Sequence, residues 1–149
     1  MKSLFTSTVT NEILNRIDKI ESTAPRQWGK MDVAQMLAHC GNGLEMAMGI
    51  INPPRVFIGR LIGGFLKSVY TNEKPFSKDS PTSEEIKVTT PKDFVAEKTR
   101  LIKLVKQFSE GGESKCTQHP HPFFGKLTPS EWSIGMYKHI DHHFRQFGA

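Results

Sequence analysis

The sequence predicts an all-α protein, a bundle of four long helices with one long crossover connection. Four segments repeat apolar residues at the three- and four-residue steps of a helix, and no segment alternates apolar and polar residues as a strand does. A stretch punctuated by proline separates the second long helix from the third. At 149 residues the chain can bury a real core but is short for two domains, so we expect a single domain over residues 1–149.

The first two helices are predicted over residues 7–22 and from about residue 32 to residue 49. The first has an apolar face at steps of four, four and three residues, formed by Val9, Ile13, Ile17 and Ile20. Pro25 prevents that helix from continuing. The second presents a mostly apolar set that includes a histidine: Met36, Leu37, His39, Cys40, Leu44, Met46 and Ala47.

Residues 52–91 are expected to form the long crossover connection. Pro53 and Pro54 open it, and its second half is polar and punctuated by proline. The apolar piece at residues 56–66 is too short to span a bilayer. We predict that this piece is a buried helix or a pocket wall, and it is also a candidate surface for a second copy of the chain.

The third and fourth long helices both have start signals in the sequence. For the third, Thr90 is predicted as the N-cap, with Pro91 after it and Asp93 three positions on. Its buried face would comprise Phe94, Leu101, Leu104, Val105 and Phe108, and Gly111–Gly112 would end it. The fourth begins with Thr128, Pro129 and Glu131 in the same pattern, and its interior stripe is predicted as Trp132, Met136, His139, His143 and Phe147.

Composition and charge argue against several classes of protein. The chain carries a formal net charge of +5, but its 20 basic residues are spread among 15 acidic ones, without the clustering that phosphate contacts need. We therefore expect no specific nucleic-acid binding. A mean hydropathy of −0.40 and a polar N-terminus favour neither membrane insertion nor export. Cys40 and Cys116 form neither a disulfide framework nor a CxxC pair, which favours a reducing cytoplasm.

The candidate functional residues are histidines on two predicted helices. His139 and His143 are four residues apart, a spacing by which one helix can offer two nitrogens to one metal ion. Facing helices in a bundle lie about 8–10 Å apart, so His39 of the second helix can reach the same ion. Three ligands leave one coordination position for water, whose pKa a divalent ion lowers toward ~7, or for a thiolate.

A competing interpretation needs no metal. A histidine on an apolar helix face is commonly a core residue with a hydrogen-bond partner, and a HxxxH pair often arises by chance. Three features favour the metal site: the pair lies on an interior stripe, a third histidine lies on another, and an unpaired buried imidazole is costly. Three imidazoles suit zinc, nickel, copper and iron alike.

The remaining candidate residues are expected near the metal site and not as metal ligands. His142 projects about 100° away from His143 on a helix, so it is placed with Gln146 as an outer neighbour of the metal ligands. His119 and His121 flank prolines in the preceding loop, where they either line the mouth of a pocket or are exposed. No residue is singled out as a catalytic acid, base or nucleophile, since phosphate-loop, HExxH and GxSxG motifs are absent from the sequence.

Three segments resemble the DinB-like superfamily, and in particular one of its uncharacterised bacterial branches. They are residues 28–39 (WGKMDVAQMLAH), 121–132 (HPFFGKLTPSEW) and 139–147 (HIDHHFRQF), and the likeness runs in order along nearly the whole chain except residues 50–90. The resemblance implies a DinB-like four-helix bundle, often dimeric, with a zinc or nickel ion held by His39, His139 and His143. Some members of that superfamily are thiol S-transferases that use bacillithiol or mycothiol, and others resemble metal-dependent hydrolases.

The leading hypothesis from the sequence is therefore a cytoplasmic, metal-dependent enzyme. Its ion would activate a thiol or water for attack on a small electrophile, as in an S-transferase or a hydrolase. Expected partners are a small-molecule substrate, a low-molecular-weight thiol and a second copy in a homodimer. The alternative is a non-catalytic binding or stress-response protein whose ion only ties helices together.

Overall fold

Six α-helices make up most of the regular structure in the computed structural model, which describes residues 1–78, 80, 82 and 84–149. The helices are α1 (Ser7–Lys19), α2 (Val33–Ala47), α3 (Phe57–Ile62), α4 (Lys67–Thr71), α5 (Phe94–Gly111) and α6 (Pro129–Gln146). Two 3-10 turns, Glu84–Ile86 and Gly112–Lys115, precede and follow α5. In the described part of the chain, extended backbone pairs only at an isolated bridge between His121 and Gly125, so the all-α prediction is confirmed.

The two N-terminal helices form where the sequence predicts them, with shorter bounds. The predicted apolar face of α1 is buried, but the helix ends at Lys19 because Ile20 turns into an extended conformation while its side chain stays in the core. In α2, Asp32 is the N-cap and forms a reciprocal capping box with Gln35. Most residues of α2 are buried, which is why few charged residues occur along it.

The predicted start of the third long helix is wrong by three residues. The N-cap of α5 is Asp93, whose carboxylate accepts a hydrogen bond from the backbone N–H of Ala96 at 2.7 Å. Thr90 lies outside the helix, and its carbonyl oxygen accepts a hydrogen bond from the side chain of Gln35 in α2. The predicted end is confirmed, since Gly112 follows the last helical residue with a φ of 55°.

The start of α6 is confirmed in full. Thr128 and Glu131 form a capping box, and Pro129 occupies the first helical position. In the core, α2 lies against both α5 and α6, and α1 contacts the same two helices. Because α2 and α6 are direct neighbours, a histidine on α2 can meet the two histidines of α6.

The connection at residues 52–91 contains α3, α4 and the first 3-10 turn; its residues 79, 81 and 83 lie outside the described residues. Gly59 of α3 and Gly63, which follows that helix, lie against the backbone of Phe123, where a Cβ on Gly63 would be 1.8 Å from the carbonyl oxygen. The two glycines thus allow a close approach between α3 and the loop before α6.

The opposite side of this segment is exposed. The prediction that residues 56–66 form a buried helix is therefore wrong, since Phe57 and Phe65 are 76% and 86% exposed. We call the following set of exposed side chains the apolar face: Phe57, Ile58, Leu61, Ile62, Phe65, Leu66 and Val69. Within the described residues, no helix has both the length and the hydropathy needed to cross a bilayer.

Candidate metal centre

His39 reaches the interior from the side of α2 that lies next to α6. Its side chain is 1% exposed, and its Nδ1 lies 2.8 Å from the carbonyl oxygen of Ile86 in the first 3-10 turn. A carbonyl oxygen only accepts hydrogen bonds, so Nδ1 must carry the ring proton and donate it. Nε2 of the neutral ring therefore keeps its lone pair, as in metal-ligating histidines whose other nitrogen is held by an acceptor.

His143 is oriented by an amide one turn further along α6. Its Nδ1 lies 2.9 Å from Oε1 of Gln146, and Nε2 of Gln146 donates to the carbonyl oxygen of Trp28 at 2.8 Å. The bond to Trp28 identifies the amide nitrogen, so Oε1 is the acceptor and Nδ1 of His143 is the donor. His143 therefore also keeps the lone pair on Nε2.

His139 brings a third nitrogen to the same place. Its Nε2 lies 2.8 Å from Nε2 of His39, and two imidazole nitrogens at this distance need either a proton or a shared cation between them. Its Nδ1 is buried and has no hydrogen-bond partner among the described residues. Gly43 of α2 lies opposite, where a Cβ would be 3.1 Å from that Nδ1, so the missing side chain gives the ring its space.

The three imidazoles form a nearly equilateral triangle. Their ring centroids are 4.7, 4.7 and 4.8 Å apart, and one nitrogen of each ring lies within 4.8 Å of the other two. His39 and His143 are buried, and His139 is partly exposed. These three residues could hold one metal ion between α2 and α6.

The surroundings keep all three rings neutral. Burial lowers the pKa of His39 below the usual range, and burial together with repulsion from His39 lowers the pKa of His143 to about 3. The pKa of His139 lies well below its ordinary value, first because of burial and then because of His39 and His143. A metal-binding histidine must be neutral, so these rings are in the correct protonation state at neutral pH.

The donor set fits a divalent cation of borderline softness. Three neutral imidazole nitrogens are offered, and the hydrogen bonds to Ile86 and Gln146 hold two of the rings in place before any ion binds. The ring of His139 has no such partner on its Nδ1 within the described residues. The ligands of this site would be His39, His139 and His143.

The other residues predicted near the site lie around it. Gln146 contacts His143, as described, and His142 is partly exposed with its ring centroid 5.1 Å from that of His143. His119 is exposed, and its Nε2 contacts the carbonyl oxygen of Pro53. His121 is buried, with its ring next to Tyr70, Phe124 and Trp132, so the exposed-loop interpretation is wrong for it.

Two contributors to the site have no signal in the sequence. Ile86 and Trp28 act through backbone carbonyl oxygens, which every residue type carries. Ile86 belongs to a 3-10 turn inside the crossover connection, a segment without helical periodicity. Only the packing of that turn against α2 identifies its carbonyl as the acceptor for His39.

The chain matches a protein-family model over nearly its whole length. A family model described as "Protein of unknown function (DUF1569)" matches residues 2–149. The comparisons with curated proteins and with solved structures gave no match. The assignment to the DinB-like superfamily is therefore corrected, because the family model that matches is the one of unknown function.

Proposed function

Because this chain belongs to the DUF1569 family, whose function is unknown, we propose a function from the site alone: a divalent-metal-dependent enzyme. In this proposal His39, His139 and His143 hold the ion, and the reaction is the attack of water or a small thiol on a small electrophilic substrate. One observation carries it: two of the three rings are fixed with Nδ1 as donor, so that Nε2 is left for the ion.

The number of ligands supports a catalytic rather than a purely structural ion. Structural zinc sites are closed by four protein ligands, whereas catalytic sites have three and keep an exchangeable position. Within the described residues, the group around these imidazoles contains three potential ligands. When bound, a divalent ion supplies a Lewis acid that lowers the pKa of a coordinated water or thiol.

The protein's own residues contribute orientation and charge. Neutral imidazoles add no negative charge, so the ion would keep its full positive charge for the nucleophile. Ile86 and Gln146 hold the rings of His39 and His143 through backbone and amide oxygens, which are also neutral. Burial of two of the three rings excludes water from their side of the site.

We propose zinc or nickel among the divalent ions that imidazole ligands suit. Cys40 and Cys116 are both free and buried, which supports a reducing compartment such as the cytoplasm.

The four long helices are proposed to form one bundle, with α3 and α4 as an insertion between α2 and α5. The contacts of α2 with α5 and α6, and of α1 with the same helices, support this arrangement.

Metal binding and turnover test the proposal. Zinc and nickel affinities are measured by calorimetry on the chelator-treated protein. We expect one ion per chain, no binding at this site in His143→Ala, and a 10–100-fold weaker Kd in Gln146→Leu, which removes the acceptor for His143. Gln118→Leu, at an exposed position, is the control and should bind as the wild type does.

The catalytic part is tested with the same proteins. The metal-loaded wild type is assayed with small thiols and a chloronitrobenzene electrophile, and with an activated ester for hydrolysis. Turnover should require the ion and should fall to background in His143→Ala. Equal turnover in the wild type and His143→Ala would exclude a catalytic role for this site. Binding of the ion without an exchangeable coordination position would favour the alternative of a purely structural ion.

A further inference from the structure

A pocket of about 170 Å³ lies beside the metal centre and is lined largely by aromatic and cationic side chains. Its aromatic walls are Trp28, Phe76 and His142, whose rings neighbour one another with His142 in the middle, 5.7 Å from Trp28 and 6.0 Å from Phe76. Cavities of about 150 Å³ accommodate a benzene ring. The pocket therefore has the size and the walls to accept one flat ring.

The pocket and the metal centre share structural parts. The ring centroid of His142, in the pocket wall, lies 5.1 Å from that of His143. Trp28 lines the pocket with its side chain, and its carbonyl oxygen holds Gln146, which in turn holds His143. A ligand in this pocket would thus lie one imidazole ring away from the three histidines.

The charge of the lining is positive. Lys78, Lys138 and Arg145 contribute three cations, and Asp141 contributes one carboxylate. That carboxylate is already neutralised, because Oδ1 lies 2.7 Å from Nη1 of Arg16 and Oδ2 lies 2.9 Å from Nε of Arg145. The lining therefore carries three positive charges against one negative charge, and Arg16 from outside the lining also pairs with that carboxylate.

The three cations have different roles. Lys138 is buried, and its Nζ contacts the carbonyl oxygens of Val69 and Asn72 and the side-chain oxygen of Asn72, so it supplies charge but no further donor. Lys78 holds its Nζ 4.8 Å from the centroid of the Trp28 ring. Arg145 is 57% exposed and pairs with Asp141 through Nε, which leaves its Nη groups as donors.

We propose that this pocket binds a small aromatic carboxylate, with the ring against the aromatic walls and the carboxylate near Lys78 and Arg145. Guanidinium and ammonium groups are the common partners of carboxylates, and Arg binds them with two donors. The identification of this ligand class as the substrate rests on the proposed function. Its binding does not, because none of the contacts involves the metal ligands.

Benzoate is the probe, and binding is measured by calorimetry and by tryptophan fluorescence, to which Trp28 and Trp132 both contribute. We expect saturable binding of benzoate with a change in tryptophan emission, and much weaker binding of benzamide, which has the ring without the charge, and of acetate, which has the charge without the ring. Each substitution removes a charged hydrogen-bond donor to the carboxylate, so Lys78→Met and Arg145→Met should each weaken benzoate binding roughly tenfold or more. Lys74→Met, an exposed lysine outside the lining, is the matched control.

The outcomes separate this inference from the proposed function. Equal binding of benzoate and benzamide, or wild-type affinity in both Lys78→Met and Arg145→Met, would overturn the anion pocket. Inorganic phosphate is included as a competitor; if it displaces benzoate with equal affinity, the site is a general anion site and the aromatic part of the proposal fails. Zinc titration of the same samples measures the metal centre separately. Benzoate binding without zinc binding would contradict the proposed function alone, and zinc binding without benzoate binding would contradict the aromatic-carboxylate pocket alone.

Discussion

His121 shows how a buried histidine outside the metal centre is accommodated. Its Nδ1 accepts hydrogen bonds from the backbone N–H groups of Phe123 and Phe124 at 3.1 and 3.2 Å. The ring proton must therefore be on Nε2, and both bonds favour the neutral form. Burial, together with a smaller contribution from the positive charge of Arg55, lowers the pKa of His121 to about 3. His121 thus organises the turn before α6 as a neutral acceptor.

This arrangement predicts a loss of stability in acid. Because the pKa of His121 is lowered to about 3 in the folded protein, against about 6.5 in the unfolded chain, the unfolded chain takes up the proton first. The stabilisation is complete above pH 6.5 and is lost as the pH falls toward 3. As the pH falls from 7.5 to 5, protonation of His121 in the unfolded chain should lower the free energy of unfolding by about 2 kcal/mol.

Urea unfolding of the metal-free protein at the two pH values measures this effect. His121→Asn keeps an acceptor oxygen for the two backbone N–H groups and removes the titration, so its free energy of unfolding should fall by about 2 kcal/mol less than that of the wild type. His119→Asn, at an exposed loop position, serves as the control and should follow the wild type. The same pH dependence in all three proteins would contradict the prediction.

At the scale of helices, the comparison of α5 and α6 shows what local patterns determine. Both starts have a threonine, a proline and a carboxylate in the capping-box order. In α6 the pattern forms as predicted, with Thr128 as the cap. In α5 Asp93 is itself a good cap, and the carbonyl of Thr90 is engaged by Gln35 of another helix. The local sequence is compatible with either Thr90 or Asp93 as the N-cap of α5, and the tertiary contact between Thr90 and Gln35 favours Asp93.

The contact between α4 and α6 depends on a glycine, and this gives a prediction for Gly135. A Cβ at Gly135 would lie 1.8 Å from Cε1 of Tyr70, a ring that is 4% exposed. Gly135→Ala should therefore lower the free energy of unfolding by about 1–3 kcal/mol through overpacking, although alanine is the better helix former. Chemical denaturation measures the change.

Two further variants identify the cause. Gly64→Ala adds the same methyl group where nothing lies within 4 Å and should be nearly neutral. Adding Tyr70→Leu to Gly135→Ala removes the ring that the methyl group meets, so the two changes should be less than additive. An unchanged stability in Gly135→Ala would show that α4 moves away from α6 without cost.

At the scale of the whole molecule, the sequence predicts only those parts of the candidate site that lie on helices with a periodic apolar face. The spacing of His139 and His143 on one helix is readable in the sequence, and so is the apolar face of α2 that carries His39. Their meeting depends on α2 and α6 being neighbours, and on Gly43 lying opposite His139. The acceptor at Ile86 comes from an irregular segment, and such segments have no periodic signal.

The apolar face at residues 57–69 leads to the last prediction, that two copies of this chain associate through it. Its seven large apolar side chains are between 38% and 86% exposed, and an exposed apolar patch of this kind usually marks an interface with another protein. Sedimentation velocity should show a dimer for the wild type and a monomer for Phe57→Ser with Phe65→Ser. Val95→Ser, which changes an exposed valine of α5 outside this face, should remain dimeric. A wild type that stays monomeric at every concentration would refute the interface, because burial of the apolar face is the only driving force proposed for it.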